Sequence, residues 1–346
     1  MIFMGNDYSE GAAPQILDAL VRTNMDQTEG YGTDEYCTEA AELIKETIGR
    51  DDVDVHFMVG GTPTNITVIA SALRPFEAVL APETGHICRH ETGGVEATGH
   101  KIFHIHTDDG KITAKQIEDA RLFHTDEHFV KPKMVYISQP TELGTMYSLK
   151  ELQEISEVCK KYDLYLYIDG ARLAVGLTNS KTDFDIKDLP RLADIFYLGG
   201  TKIGMLFGEA IIIVNDKLKP DFRFMIKHCG GMLAKGRLLG VQFEEMFRDK
   251  GKLYYELGSH ANQMADKLRQ GLLDMGFPMA IDSPTNQLFV RVSDAQAEAL
   301  TKYVVYEPDG TLDPGYQRIR FCTSWATPEE DIDALLKVCE EIKKIG

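Results

Sequence analysis

Short apolar runs alternate along the chain with segments whose apolar residues recur at helical spacing. The runs 53–59, 134–138 and 164–168 are bounded by glycine or polar residues and predict buried strands. A capping box at 148–151 predicts a helix that begins there and ends near Tyr162. Strands and helices alternating at this spacing predict an α/β fold with a mostly parallel sheet covered on both faces.

Further strands of the same sheet are predicted at 78–81, 102–105, 195–198 and 210–214. After strand 53–59 the chain reads Gly60-Gly61-Thr62-Pro63, which predicts a helix to about Leu73 with Thr62 as its N-cap and Pro63 at its first position. Free N–H groups and the helix dipole make such a turn an anion site, although many strand–helix turns look the same.

The pattern changes after a long helical region at 241–275, in which Gly251 and Gly258 are the weak points. Strands are predicted beyond it at 287–292, 304–306 and 318–322, and Thr327 to Glu330 form a predicted cap for a final helix. We interpret this part as a smaller α+β domain. The predicted division is a large domain of residues 13–245 and a small domain of residues 1–12 and 246–346.

Composition narrows the choice of partners. The 346 residues include 37 basic and 54 acidic side chains, a net charge of −17, which opposes binding to nucleic acid or to anionic membranes. No apolar run approaches the roughly 18 residues of a membrane span. The N-terminal residues lack the basic and apolar regions of a signal peptide. The six cysteines are scattered with no CxxC pair, so we expect no metal cluster, no disulfide framework and a cytoplasmic location.

Lys202 and Asp169 are the first candidates for chemistry, because both lie at predicted strand ends and can face one crevice. Lys202 follows Gly199-Gly200-Thr201. It is either a solvated loop lysine or an amine that condenses with an aldehyde. Asp169 is either a helix cap, a metal ligand or the partner of a pyridinium nitrogen. Arg172 suits a bidentate carboxylate clamp or an ordinary ion pair.

His86 lies just past strand 78–81 in a histidine-rich stretch. Its spacing from the neighbouring histidines lacks a metal-ligand pattern, so we favour a flat ring available for stacking over a metal site.

Four segments taken in order resemble the low-specificity threonine aldolases: HICRHETGGVEATGHK (86–101), YIDGARL (167–173), GGTK (199–202) and RIRFCTSW (318–325). These enzymes belong to the β-eliminating lyase and threonine aldolase group. The resemblance extends over nearly the whole chain. It implies the aspartate-aminotransferase-like fold (fold type I) of pyridoxal phosphate enzymes, with pyridoxal 5'-phosphate as cofactor.

The resemblance also implies roles for individual residues. Lys202 matches the lysine that holds the cofactor, Asp169 the acid on its ring nitrogen, and His86 the ring stacked above it. The remaining matches are Glu91 in the same loop, Gly61 and Thr62 at the phosphate, Arg172 and Arg320 at the substrate carboxylate, Asn6 as a further substrate contact, His128 near the substrate hydroxyl, and Tyr31 in a segment that reaches toward a neighbouring subunit.

Three positions depart from the family pattern. Asn6 stands where the family usually has serine, residues 139–142 read Gln-Pro-Thr-Glu instead of Glu-Asn-Thr-His, and Leu233 stands where arginine is frequent. The second departure alters the side-chain pocket or the surroundings of the cofactor's ring oxygen. The third removes a phosphate contact unless a nearby basic residue replaces it.

The function implied is cleavage of L-threonine or L-allo-threonine to glycine and an aldehyde, with His86, His128 or water as the base. The alternatives are another lyase reaction of the same cofactor, such as β-elimination or cleavage of a bulkier β-hydroxy amino acid, and a non-catalytic binding module. The resemblance also implies a homodimer or homotetramer with active sites at the interface. For Arg320, the alternative to a substrate clamp is a surface ion pair with an acid such as Glu330.

Overall fold

The computed structural model describes residues 1–345, which fold into an α/β protein with three sheets. The strands are β1 (Ile2–Phe3), β2 (Asp54–Met58), β3 (Glu77–Pro82), β4 (Lys101–Ile105), β5 (Lys131–Ser138), β6 (Tyr165–Asp169), β7 (Ile195–Gly199), β8 (Glu209–Ile213), β9 (Gln287–Ser293), β10 (Val304–Val305), β11 (Glu307–Asp313) and β12 (Tyr316–Cys322).

The α-helices are α1 (Pro14–Arg22), α2 (Glu35–Ile48), α3 (Gly61–Ala72), α4 (His86–Arg89), α5 (Ala114–Phe123), α6 (Leu149–Lys161), α7 (Leu173–Leu177), α8 (Leu189–Leu192), α9 (Phe222–His228), α10 (Arg237–Asp274), α11 (Asp294–Leu300) and α12 (Glu329–Ile342). Among residues 1–345, no helix is both long and apolar enough to cross a membrane.

The largest sheet has seven strands in the order β2-β8-β7-β6-β5-β3-β4. Within residues 1–345, β8 alone runs opposite to the other six strands of this sheet, so the predicted mostly parallel sheet is confirmed. Alternate residues of its strands belong to two separate apolar clusters, one on each face. Helices cover both faces, and the carboxyl ends of the parallel strands meet at one edge, where Asp169 ends β6.

A smaller sheet, β11-β12-β9, is antiparallel and packs with α11 and α12 around a third apolar cluster. The N-terminal strand β1 pairs with β10, so the first residues of the chain lie against the C-terminal part. Helix α10 contributes residues up to Ala261 to the large core and residues from Met264 to the small one. The domain boundary at 245/246 stays a prediction.

Two predicted caps are wrong. Helix α3 begins at Gly61, so Thr62 lies inside the helix and no side chain caps it. The final helix begins after Pro328 without a side-chain cap. The Thr327 hydroxyl instead accepts a hydrogen bond from the Ser324 N–H at 2.7 Å, within the preceding turn. Of the two predicted weak points in α10, Gly251 coincides with a break, because residues 248–251 leave the helical conformation, whereas Gly258 stays helical.

Candidate active site

A cavity of about 240 Å³ opens at the carboxyl edge of the large sheet. It collects six of the residues proposed from sequence: Gly61, Thr62, His86, Asp169, Arg172 and Lys202. It also contains Glu142, from the segment 139–142 that departs from the family pattern, and residues that the sequence reasoning did not select, among them Ser138, Tyr197, Thr201 and Glu209. Within residues 1–345, no group of three or more His, Cys, Asp or Glu side chains is placed to hold a metal ion.

Lys202 follows β7 on a turn that only glycine allows. A Cβ on Gly200 would lie 2.8 Å from the Gly208 carbonyl oxygen, so the backbone packs too closely there for a side chain. Burial lowers the pKa of the Lys202 amine, and the charge of Arg172 lowers it further. No carboxylate of the described residues lies within 4 Å of Nζ to form an ion pair. A desolvated lysine with a lowered pKa is a nucleophilic amine.

Asp169 is buried at the end of β6 and is surrounded by donors. The hydroxyls of Tyr136 and Tyr197 donate to its two oxygens at 2.7 and 2.5 Å. The Ala171 N–H donates at 3.0 Å, and the Asn65 amide donates at 3.3 Å. These bonds fix the carboxylate in the cavity wall, and it forms no ion pair within residues 1–345, so it is placed to meet a positively charged group of a ligand.

The side chain of His86 is held by Glu91. Its Nδ1 lies 2.7 Å from Glu91 Oε1, and the Asn65 amide donates to the same oxygen at 2.6 Å. Burial raises the pKa of Glu91. A carboxyl group at Nδ1 orients the ring and favours the tautomer with its proton on that nitrogen. His86 Nε2 can then accept a proton from a ligand in the cavity.

The turn at residues 60–62 enters the cavity at the start of the twelve-residue helix α3. The first N–H groups of a helix lack partners within the helix, and its dipole is positive at that end. Gly61 and Thr62 therefore offer an anion site on the same cavity as Lys202.

Arg172 carries a carboxylate partner from its own chain. Its Nε and Nη2 donate to the two oxygens of Asp7 at 2.6 and 3.0 Å, and the Asn286 amide donates to Asp7 at 2.9 Å. Burial alone would raise the pKa of Asp7, but the charges of Arg172 and Lys202 outweigh it and lower the pKa to about 2. Two donors of Arg172 are thus already used, and its contact with a substrate carboxylate stays a prediction.

Arg320 projects from β12 and has no acidic partner among residues 1–345. Its Nη1 donates to Gln287 Oε1 at 3.3 Å and its Nη2 to the Gly5 carbonyl oxygen at 3.2 Å. Its Nε is buried and has no partner among residues 1–345. The alternative pair with Glu330 is not among the ion pairs of the described residues. The Gly5 carbonyl that Arg320 contacts lies two residues before Asp7, the partner of Arg172, so both arginines contact the same N-terminal segment.

Five residues proposed from sequence do not line this cavity: Glu91, which contacts the lining residue His86, Arg320 on β12, and His128, Asn6 and Tyr31. The side chain of His128 is 84% exposed, and its Nδ1 contacts Asp126 at 3.1 Å. Asn6 accepts hydrogen bonds within its own loop. Tyr31 lines a second cavity of about 230 Å³, to which Leu233 also contributes. The chain by itself does not bring the side chains of His128, Asn6 and Tyr31 to the cavity of Lys202.

The sequence reasoning missed Glu209 and Asp7. Glu209 accepts from the Thr201 hydroxyl at 2.9 Å and from the Gly200 N–H at 3.3 Å, and burial raises its pKa to about 8. A charged residue at the start of the buried strand EAIII is a signal that could have identified it. Asp7 carries no such signal, because its partner Arg172 is 165 positions away.

Comparisons with known proteins agree with this geometry. The sequence profile of the Beta-eliminating lyase family matches residues 7–295. A low specificity L-threonine aldolase of a Pseudomonas species is 30% identical over 345 residues, covering 96% of this chain and 95% of the relative. A solved threonine aldolase structure from Leishmania major superposes with a TM-score of 0.97 at 46% identity, covering 99% of this chain and all of that one. Aspartate aminotransferase of Thermus thermophilus, at 14% identity and a TM-score of 0.74, covers 99% of this chain and 91% of its own, and shares the fold.

Proposed function

We propose, from the premise that this chain belongs to the Beta-eliminating lyase family, that it is a pyridoxal phosphate-dependent threonine aldolase. It cleaves L-threonine or L-allo-threonine to glycine and an aldehyde. The observation that carries the proposal is the meeting of Lys202, Asp169 and the Gly61–Thr62 turn on one cavity. The full-length similarity to low specificity L-threonine aldolases supports the choice of reaction.

The residues present fit pyridoxal phosphate. The start of the helix at Gly61 and Thr62 suits its phosphate. The Asp169 carboxylate, which accepts hydrogen bonds from two tyrosine hydroxyls, suits its ring nitrogen. The Lys202 amine, with its lowered pKa, suits its aldehyde. Bound there, the cofactor supplies an electron sink for cleavage at the substrate α-carbon. His86 is placed on the same cavity to lie against a flat ring.

The side chains around the cavity supply binding and proton transfer. Arg320, with an unpartnered Nε, binds the substrate carboxylate. His86 Nε2 takes the proton of the β-hydroxyl as the bond between the α- and β-carbons breaks, which releases the aldehyde. A proton delivered to the α-carbon completes glycine. We favour His86 over His128 as the base, because His128 lies on the surface of this chain.

Assembly is part of the proposal. We propose a homodimer or homotetramer in which Tyr31 of one subunit contributes to the site of another. The position of Tyr31 on a separate cavity supports this, as does its strained backbone, with a φ of 60°. A cytoplasmic location is supported by six free cysteines and the absence of a CxxC pair.

The test is a substrate panel on the purified protein loaded with pyridoxal phosphate. L-threonine, L-allo-threonine, D-threonine, L-serine and β-phenylserine are supplied, and aldehyde and α-keto acid are both measured. We expect glycine and acetaldehyde in equal amounts from L-threonine or L-allo-threonine. Keto acid without aldehyde would instead support β-elimination, and no product from any substrate would support the binding module.

A further inference from the structure

Glu142 is a buried acid of the cavity wall that the reaction described above does not use. It lies in the segment where this chain departs from the family pattern. Its Oε1 accepts from the Ser138 hydroxyl at 2.6 Å and from the His86 N–H at 2.9 Å. Its Oε2 is buried and has no partner among residues 1–345. An unpaired buried carboxyl oxygen is costly, so a ligand group that donates a proton there would stabilise it.

A chain of hydrogen-bonding groups joins Glu142 to Asp169. The Ser138 hydroxyl lies 2.6 Å from Glu142 Oε1 and 3.2 Å from the Tyr136 hydroxyl, and it shares its one proton between these two acceptors. Tyr136 in turn donates to Asp169 Oδ2 at 2.7 Å. Groups connected in this way polarise one another in a buried site. A charge on Glu142 is therefore felt at Asp169, the proposed partner of the cofactor nitrogen.

Burial raises the pKa of Glu142, and the charge of Asp169 raises it further, whereas the bonds from Ser138 and His86 lower it. Two donors on one oxygen stabilise the ionised form and oppose this rise. The titratable and charged side chains that interact with this carboxyl are Asp169, Tyr136, Tyr147, Cys88 and Arg172, and His86 contacts it through its backbone N–H.

We propose that Glu142 accepts a hydrogen bond from a hydroxyl of the bound ligand and, through Ser138 and Tyr136, helps to set the proton affinity of the bound cofactor. The inference rests on the proposed function. Two hydroxyls have the required chemistry: the phenolic hydroxyl of the cofactor and the β-hydroxyl of the substrate. Either partner makes Glu142 a positioning and tuning residue at the site of the reaction.

The experiment is a spectral pH titration of the holoenzyme for wild type, Glu142→Gln, Ser138→Ala and the double variant. The absorption band of the bound cofactor is followed without amino acid, with glycine, and with L-threonine. A nearby negative charge favours the protonated form of the chromophore. Glu142→Gln should therefore lower the midpoint by about one pH unit. Ser138→Ala should shift it less in the same direction, and the double variant should match Glu142→Gln, because both residues act through one chain.

Glu83→Gln is the matched control. Glu83 belongs to the same loop as His86, but its Oε1 is paired with His106 and it does not line the cavity. Its midpoint should equal the wild-type value, and the melting temperatures of all variants should stay close together.

A shift already present without amino acid supports the connection from Glu142 to the bound cofactor. A further shift with L-threonine that glycine does not produce identifies the substrate hydroxyl as the partner of Glu142, and its absence identifies the cofactor hydroxyl. A midpoint that is unchanged or raised in both Glu142→Gln and Ser138→Ala under all three conditions overturns the inference. Failure of the proposed function gives a different result: no variant then shows a cofactor absorption band, so no midpoint can be measured.

Discussion

Replacing Arg320 by lysine tests how the substrate is held. The two Nη atoms of Arg320 have only neutral acceptors, at 3.2 and 3.3 Å, and its Nε has none among the described residues. A guanidinium in this state is free to bind a carboxylate through two parallel bonds, and an ammonium group can supply only part of that geometry.

The expected loss follows from the bonds removed. Lysine keeps the positive charge but gives up about one charged hydrogen bond, which contributes roughly 1.5–3 kcal/mol. Arg320→Lys should therefore lower kcat/KM for L-threonine roughly 10- to 100-fold. Steady-state kinetics measure this loss, and we expect it to come mainly from a higher KM. Cofactor content and melting temperature should change little.

Arg318→Lys is the matched control, because Arg318 projects from the same strand but pairs with Asp309 at 2.5 Å. A partly exposed pair of this kind contributes about 0–1 kcal/mol to stability and should not affect kinetics. If Arg320→Lys retains the wild-type kcat/KM, or if the two variants lose activity equally, the carboxylate clamp is wrong.

Three further predictions test other parts of the account. The pKa of Asp7 is lowered to about 2, so its pairing with Arg172 stabilises the fold above about pH 4, and roughly 2 kcal/mol of this stability should be lost as the pH falls to 2. In acid-unfolding curves, Asp7→Asn should be less stable than wild type at pH 7 and should not show this loss of stability between pH 4 and pH 2. His86→Ala should reduce kcat for L-threonine by roughly 100-fold or more, whereas His128→Ala should retain most of it unless a neighbouring subunit brings His128 into the site. Light scattering should give a dimer or tetramer, and a monomer with full activity at nanomolar concentration would contradict the shared site of Tyr31.

The parallel sheet could be predicted from the sequence because its strands are buried on both faces and read as continuous apolar runs. Strand β11 could not, because EPDGTLD is polar and lacks the apolar residues that mark a buried strand. Helices α1 and α2 were also missed, although α2 has an Asp34 cap and an αL glycine at its end, Gly49. Short or polar elements of this kind depend on tertiary contacts that local patterns do not contain.

In the site, residues next to strand ends could be identified, and residues that act through distant partners could not. Tyr136, Tyr167 and Tyr197 each lie two positions before the end of neighbouring strands, and the register of β5 and β6 pairs the first two. Two of them hold Asp169. That spacing is visible in the sequence, but the sequence does not give the order of the strands, which brings the three tyrosines next to one another. The role of Asp7 depends on a contact between the chain's N-terminus and the turn after β6.

The attachment of the cofactor tests the central claim most directly. The protein is incubated with pyridoxal phosphate, reduced with borohydride, digested and analysed by mass spectrometry. We predict that the phosphopyridoxyl group is found on Lys202 and that Lys202→Ala carries none. A label on a different lysine of the wild-type protein, or no label at all, would contradict the assignment of Lys202 and with it the proposed reaction.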